Sequence, residues 1–217
     1  MGQIQIQQTP RRPRGRPPIR SDEDTRNLLI EAAAREFRLN GYAGANICAV
    51  AQLAGVSTKT LYRLVPTKAD LFEGVVTDCA KRFILAIDDE VIGKLDTRAA
   101  LEQILFAFGS LTLSDEVIAM NRLVIGECER FPEIARTFYE SAVTPINAVI
   151  EAWLRRESEA GRIRLDDIHA ASGMLRGMMS LEPQRTAMMG QRTAPDQDEI
   201  AARAKQCAEL FFNGCKA

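Results

Sequence analysis

From Ser21 onward the apolar positions recur with a period near 3.6 residues, and no segment of convincing length alternates as a strand does. Leu28, Leu29, Ala32, Ala33 and Phe37 mark one face of a first helix, capped by Asp22 or Asp24 and running through Asn40. Gly41 follows, where a left-handed C-terminal cap is wanted. Short apolar patterns over Asn46–Ala54 and Thr58–Leu64 predict a second and a third helix. Pro66 ends the third, and Thr67 opens a fourth that reaches about Glu90. Five longer helices are expected at Arg98–Leu113, Asp115–Arg130, Pro132–Ala160, Asp166–Met179 and Asp196–Asn213. Breaks fall at Phe131-Pro132, at Gly161 and across the stretch from Pro183 to Pro195. The expected fold class is all-α, a small three-helix head on a larger helical body.

The composition fits an ordinary globular chain: 217 residues, 46% hydrophobic and 26% charged. No run of about 18 apolar residues suggests a membrane span, and the arginine- and proline-rich start lacks the apolar core of a signal peptide. A cytoplasmic location is expected. Five cysteines (Cys48, Cys79, Cys128, Cys207 and Cys215) show no ligand-like clustering, so neither a metal site nor a disulfide framework is expected. His169 is the single histidine, and no phosphate-binding GxxxxGK[ST] loop occurs. No nucleophile, base and orienter can be assembled, so the chain reads as a non-enzyme without a cofactor.

Charge divides the chain unevenly. Residues 1–72 carry 11 basic against 6 acidic side chains, and the rest carries 17 against 23. A basic head on an acidic body points toward nucleic acid. Within the head, Ile47 to Leu64 reads ICAVAQLAGVSTKTLYRL. Ala51 is small where two helices must touch, and Gly55 tolerates the positive φ of a tight turn. Val50, Val56 and Leu61 lock the pair, and Ser57 caps the second helix. This is helix-turn-helix spacing, and the turn chemistry disfavours a merely solvated helical pair. Thr58, Lys59 and Thr60 then face the base edges of a major groove, while Tyr62 and Arg63 suit backbone contact. Lys68 adds charge where a helix N-terminus already favours a phosphate.

These residues, from Asp24 through Leu71, resemble the tetracycline-repressor (TetR) family of bacterial transcription regulators, with AAAREFRLNGYAG followed by AVAQLAGVSTKTLYRLVPTKADLF. Asn46 stands where members often carry Ser or Thr, and Leu64-Val65 replaces an aromatic or His followed by Phe. NRLVIGECERFPEIARTFYE and WLRRESEAGRIRLDD resemble the C-terminal domain of the AefR-like group over Met120 to Gly190. The resemblance implies a DNA-binding head at residues 22–71 and a ligand-binding, dimerising body at 72–217. It also implies a ligand-responsive homodimeric repressor on a palindromic double-stranded operator. The alternative is an architectural DNA-binding protein with no small-molecule effector. A thiol-switch variant would need a reactive, exposed cysteine.

In the body, Phe106, Phe108, Met120, Phe138, Tyr139, Trp153 and Met174 are the bulky side chains available to line an effector cavity or to fill a core. Arg122, Glu127 and Glu129 are available to a polar ligand end, or are simply exposed. Asp88-Asp89-Glu90 reads as a solvated helix end rather than a metal cluster. Ile200, Ala204, Cys207, Ala208 and Phe211 form one apolar stripe; Ile168, Ala171, Leu175 and Met178 form another. Such stripes serve a core or a subunit interface equally, and the family resemblance favours a four-helix interface between two subunits.

Residues 1–21 form an arm, RRPRGRPPIR at its basic end, that prolines and glycine keep extended. Its PRGRP core resembles an AT-hook: Gly15 lets the backbone lie on a groove floor while Arg14 and Arg16 run along it. Each phosphate neutralised contributes about −0.9 to the slope of log K against log[salt]. Deleting residues 1–20 should therefore flatten that slope, most for sites flanked by A·T tracts, as salt-dependent binding titrations would show. Equal slopes would reduce the arm to a tail.

Overall fold

The computed structural model describes residues 20–214, so Arg14, Arg16 and Cys215 lie outside the described residues. Within them the chain forms α1 (Asp22–Gly44), α2 (Ile47–Leu53), α3 (Thr58–Leu64), α4 (Lys68–Ala86), α5 (Asp89–Ile92) and α6 (Thr97–Thr112). It continues as α7 (Asp115–Glu127), α8 (Pro132–Phe138), a π-helical turn (Tyr139–Val143), α9 (Thr144–Glu159), α10 (Ile168–Met188) and α11 (Gln197–Gly214). No strand occurs among the described residues. No single helix among them is long and apolar enough to cross a membrane.

Local chemistry explains most boundaries. Ser21, not Asp22 or Asp24, caps α1 by accepting from the Asp24 amide at 3.0 Å; the two aspartates sit in the first turn, where the helix dipole favours them. Asp96, Ser114 and Asp167 cap α6, α7 and α10 in the same way. The fourth helix stops at Ala86, and the short α5 absorbs the acidic stretch, with Asp88 accepting from the Glu90 amide at 2.8 Å. Two prolines depart from expectation. The helix expected over 132–160 keeps a helical backbone through Glu159 but carries a π-helical turn over Tyr139–Val143, just ahead of Pro145, which offers no N–H and would crowd the carbonyl of residue 141. The π turn just before it takes up the misfit. Pro183, expected to start a break, lies inside α10 with Met179 and Ala187 buried on the same face. Burial of Met179, worth about 1.5–3 kcal/mol, with smaller gains from Pro183 and Ala187, works against the roughly 3 kcal/mol that an interior proline costs.

The head packs α1 to α3 around Leu29, Phe37, Val50 and Leu61, and α4 runs from it into the body. The body is organised by α6, whose Leu101, Ile104 and Leu105 are fully buried. Gly109 permits the closest approach: a Cβ there would overlap Met179 Cε and lie 2.9 Å from Ile200 Cγ2. α10 and α11 therefore press directly on α6. This corrects the expected interface. Leu175, Ile200 and Ala204, with Cys207 and Ala208, are core of a single chain, while Ile168 and Phe211 are half-buried. The apolar side chains these helices leave outside are Met174, Leu181 and Leu210, each more than 60% exposed.

Ala204→Glu would place an unpaired charge in the α6–α11 contact and should cost more than about 3 kcal/mol. Met174→Glu should change monomer stability by under about 0.5 kcal/mol. Urea unfolding of both variants, extrapolated to one protein concentration, checks the pair.

Candidate nucleic-acid interface

The turn between α2 and α3 is closed by backbone bonds alone. Gly55 has φ +67°, its amide donates to Gln52 O at 3.1 Å, and the Val56 amide reaches back to Ala51 O at 3.0 Å. This pattern satisfies the last carbonyls of α2 and requires the left-handed residue that glycine supplies. Ala51 and Leu61 are each 1% exposed, so the helices touch where the small residue was expected. Asn46 caps α2 by accepting from the Cys48 amide at 2.8 Å. Ser57 caps α3 by accepting from the Thr60 amide at 3.0 Å, and its hydroxyl also pairs with that of Thr60 at 2.8 Å. Leu64 and Val65 are both buried beneath α3, where their small apolar volumes complete the packing.

The candidate DNA-contacting residues thus separate by what already holds them. Thr58 and Lys59 are exposed at the start of α3 and make no side-chain hydrogen bond or ion pair among the described residues. Tyr62, one turn on, is half exposed. Arg63 instead forms two parallel 2.7 Å bonds to Asp22, which draw the Asp22 carboxyl below its ordinary pKa and raise that of Arg63. Lys68 also departs from expectation. The first amides of α4 are served by a reciprocal cap, Thr67 accepting from the Asp70 amide at 3.1 Å and Asp70 from the Thr67 amide at 3.0 Å. The Lys68 ammonium turns away to donate to Ala43 O at 3.2 Å and lies 5.1 Å from the Tyr42 ring centroid. Burial lowers its pKa, with Glu127 and Glu36 acting against the shift.

One side chain that the sequence did not single out for the head lies against it. Glu127, at the end of α7, accepts from the Tyr42 amide at 2.7 Å and from the Ala43 amide at 2.8 Å. These amides follow Gly41, where φ +69° breaks α1 and leaves them without partners inside the helix. An isolated Glu at a helix end carries no local signal for such a contact.

Residues 29–75 match the family described as "Bacterial regulatory proteins, tetR family", and residues 99–214 match the "AefR-like transcriptional repressor, C-terminal domain". The chain belongs to the TetR family. It is a transcriptional regulator with a helix-turn-helix head and is not an enzyme. Among its relatives is the HTH-type nicotine-responsive transcriptional repressor HdnoR of Paenarthrobacter nicotinovorans, 25% identical over 143 residues that span 64% of this chain and 74% of HdnoR. A crystal structure from Mesorhizobium loti MAFF303099, titled as a TetR-family regulator, superposes with TM-score 0.79 at 23% identity, covering 92% of this chain and 100% of that one. FadR from Bacillus subtilis, solved with stearoyl-CoA, has TM-score 0.71 at 20% identity over 87% of this chain and 98% of its own. At these identities the two structures show the shared fold.

The body of the regulator does not bring the seven cavity candidates together. Phe108 and Trp153 are buried, and Phe106 and Phe138 pack half-buried on the core, whereas Tyr139 and Met174 face outward. Met120 edges a cleft of about 470 Å³ between α1, α4 and α7. Trp153 edges another of about 540 Å³ beside the Glu157–Arg162 ion pair. Phe106 lines a third of about 420 Å³ between α4, α6 and the start of α11, near Arg82, Gln103 and Gln197. The Arg122 guanidinium donates to Met188 O and Ala187 O at 2.9 and 3.1 Å. Buried Cys79 fails the requirement of a reactive thiol, since desolvation and Glu116 push its pKa up to about 11 against the opposing pull of Arg82. Burial also raises Cys207. Among the described residues no group of three or more His, Cys, Asp or Glu is placed to hold a metal.

Because Thr58 and Lys59 are exposed and Thr60 is engaged as a cap partner, Lys59→Ala should weaken operator binding by about 1–3 kcal/mol if it reads a guanine. Sequence preference should relax at one position per half-site, and site selection with both proteins measures it. Thr60→Val should instead act mainly through α3 stability. An unchanged operator affinity in Lys59→Ala removes the base-reading role.

Proposed function

We propose that this TetR-family regulator is a homodimeric, ligand-responsive repressor that grips a palindromic operator with two copies of α3. The observation that carries the reading is a helix-turn-helix whose leading side chains, Thr58 and Lys59, are free while Ser57 caps α3 and Arg63 ties its far end to Asp22. Arg14 and Arg16 of the arm are proposed to enter the adjacent minor groove, and Tyr62 to meet the backbone. The subunit contact is proposed on the outer faces of α10 and α11, through Met174, Leu181 and Leu210, because the inner faces are spent on α6. Half-sites should then lie about one helical turn apart, or a multiple of it.

The proposed effector is small and amphipathic. The cleft beside Phe106 offers an apolar floor from Phe83, Ala86 and Leu111 under polar groups from Gln103 and Gln197. Its wall is α4, whose first residue follows α3 by only a short turn, so an occupant that displaces α4 moves the reading helix. The nicotine response named for HdnoR and the stearoyl-CoA bound by FadR are consistent with effectors that have an apolar body.

Two measurements test the proposal. Met174→Glu/Leu181→Glu should give folded monomers by sedimentation and weaken operator binding at least tenfold; variants that stay dimeric place the interface elsewhere. Nicotine and octanoate, titrated calorimetrically with and without operator, should show a coupling of about 1–3 kcal/mol for a true effector, equal in both directions. Equal affinities in the two titrations remove that compound as an effector.

A further inference from the structure

We infer that Glu127 is a positioning residue for operator binding, the side chain through which the body sets the angle of the reading head. The inference rests on the helix-turn-helix being the DNA-binding element.

The end of α1 beyond its kink at Gly41, followed by Ala45 and Asn46, leads into α2, so its conformation fixes where the helix-turn-helix begins. Three side chains hold it. Glu36, 6% exposed, accepts from the Asn46 amide at 3.0 Å and from Asn40 Nδ2 at 2.9 Å. Lys68 holds the Ala43 carbonyl, as described above. Glu127 holds the Tyr42 and Ala43 amides, one with each carboxylate oxygen, from more than 80 residues along the chain. Glu36 belongs to α1 and Lys68 is the first residue of α4, so both lie within the head. Of the three, Glu127 alone comes from the body proper.

The local sequence is shaped to this contact. A Cβ at position 41 would lie 2.6 Å from Glu127 Oε1, and φ +69° independently disfavours a side chain there. Glycine therefore both frees the two amides and leaves room for the carboxylate that takes them. Tyr42 is fixed on the same side, its ring packed at centroid distances of 5.8 Å on Phe37, 5.6 Å on Phe72 and 5.2 Å on Phe131 just beyond α7. At its middle, α7 is tied through Arg122 to the last carbonyls of α10. One helix thus grasps an open backbone end on α10 with a cation and another on α1 with an anion. A displacement of α10 or α7 reaches the entrance to α2 through Glu127.

The experiment uses the full-length protein and an operator first selected with it, so that failure of the wild type to bind specifically is separate from failure of this inference. Affinity for the operator and for random duplex, each across a salt series, is measured for Glu127→Ala and Glu127→Gln. Losing the carboxylate should weaken operator binding at least tenfold in Glu127→Ala, with non-specific affinity and its salt slope unchanged within twofold, since Lys59 and the arm still meet phosphate. Glu127→Gln keeps one acceptor and should fall between. Hydrogen exchange of the Tyr42 and Ala43 amides should quicken in the same order. Wild-type operator affinity in Glu127→Ala, or equal loss of specific and non-specific binding, overturns the inference. Should Glu127→Ala not fold, unchanged amide exchange and operator affinity in Glu127→Gln overturn it as well.

Discussion

α2 and α3 have seven residues each and cannot be stable alone, since isolated helices shorter than about 12–15 residues are marginal in water. Everything the head does depends on borrowing order for α3 from elsewhere. Part comes from the Gly55 turn and part from Leu61, Leu64 and Val65, buried where α3 packs on α1 and α2. The rest comes from polar ties at both ends: Ser57 capping the start of α3, and Arg63 bonded back to Asp22 at the start of α1. The Arg63 pair is exposed, and an exposed ion pair adds little stability by itself. Its value lies in direction, because it fixes the far end of the reading helix against the first residue of α1, near where the arm joins.

The body meets the opposite demand. A head needs rigidity, whereas a ligand-responsive domain needs a small number of alternative packings. Gly109 brings α10 and α11 hard against α6, so this side of the body is closely packed. Two of the clefts lie along α4, one toward α7 and one toward α6. Both clefts share Arg82, which is bonded to Asp78, Glu116 and the Cys79 sulfur at the boundary between them. An occupant on either side therefore acts on the same helix and the same charged cluster.

What could be read in the sequence was what local chemistry decides. The Gly55 turn, the Ser57 cap, the start of a fourth helix at Thr67 and the all-helical body follow from residue types a few positions apart, and these are legible. The failures were tertiary. The stripe through Ile200 and Ala204 has the same spacing whether it meets α6 or a second subunit, and only the missing side chain at Gly109 settles which partner arrives first. Pro183 breaks a helix by local rules, yet the burial of its face holds the helix together. The seven bulky body residues are candidates by size alone, which distinguishes neither inside from outside nor one cleft from another. Glu127 was invisible because its partners are backbone amides, which have no sequence signature.

The charge of the head gains a different meaning from these contacts. By count, residues 1–72 are strongly basic, but the structure removes several of those charges from the DNA-facing ledger. Arg63 is neutralised by Asp22, and Lys68 is turned inward toward Tyr42 between Glu36 and Glu127. On α3 and at the start of α4, Lys59 is then the cation left with no protein partner among the described residues. A recognition helix with a single uncommitted cation gains little from counterion release on its own. The arginines of the arm would then supply a large share of the sequence-independent attraction, leaving α3 to act mainly as a reader. On that division of labour, geometry matters more than charge at the head, because a helix that holds weakly must be presented at the right angle to discriminate at all.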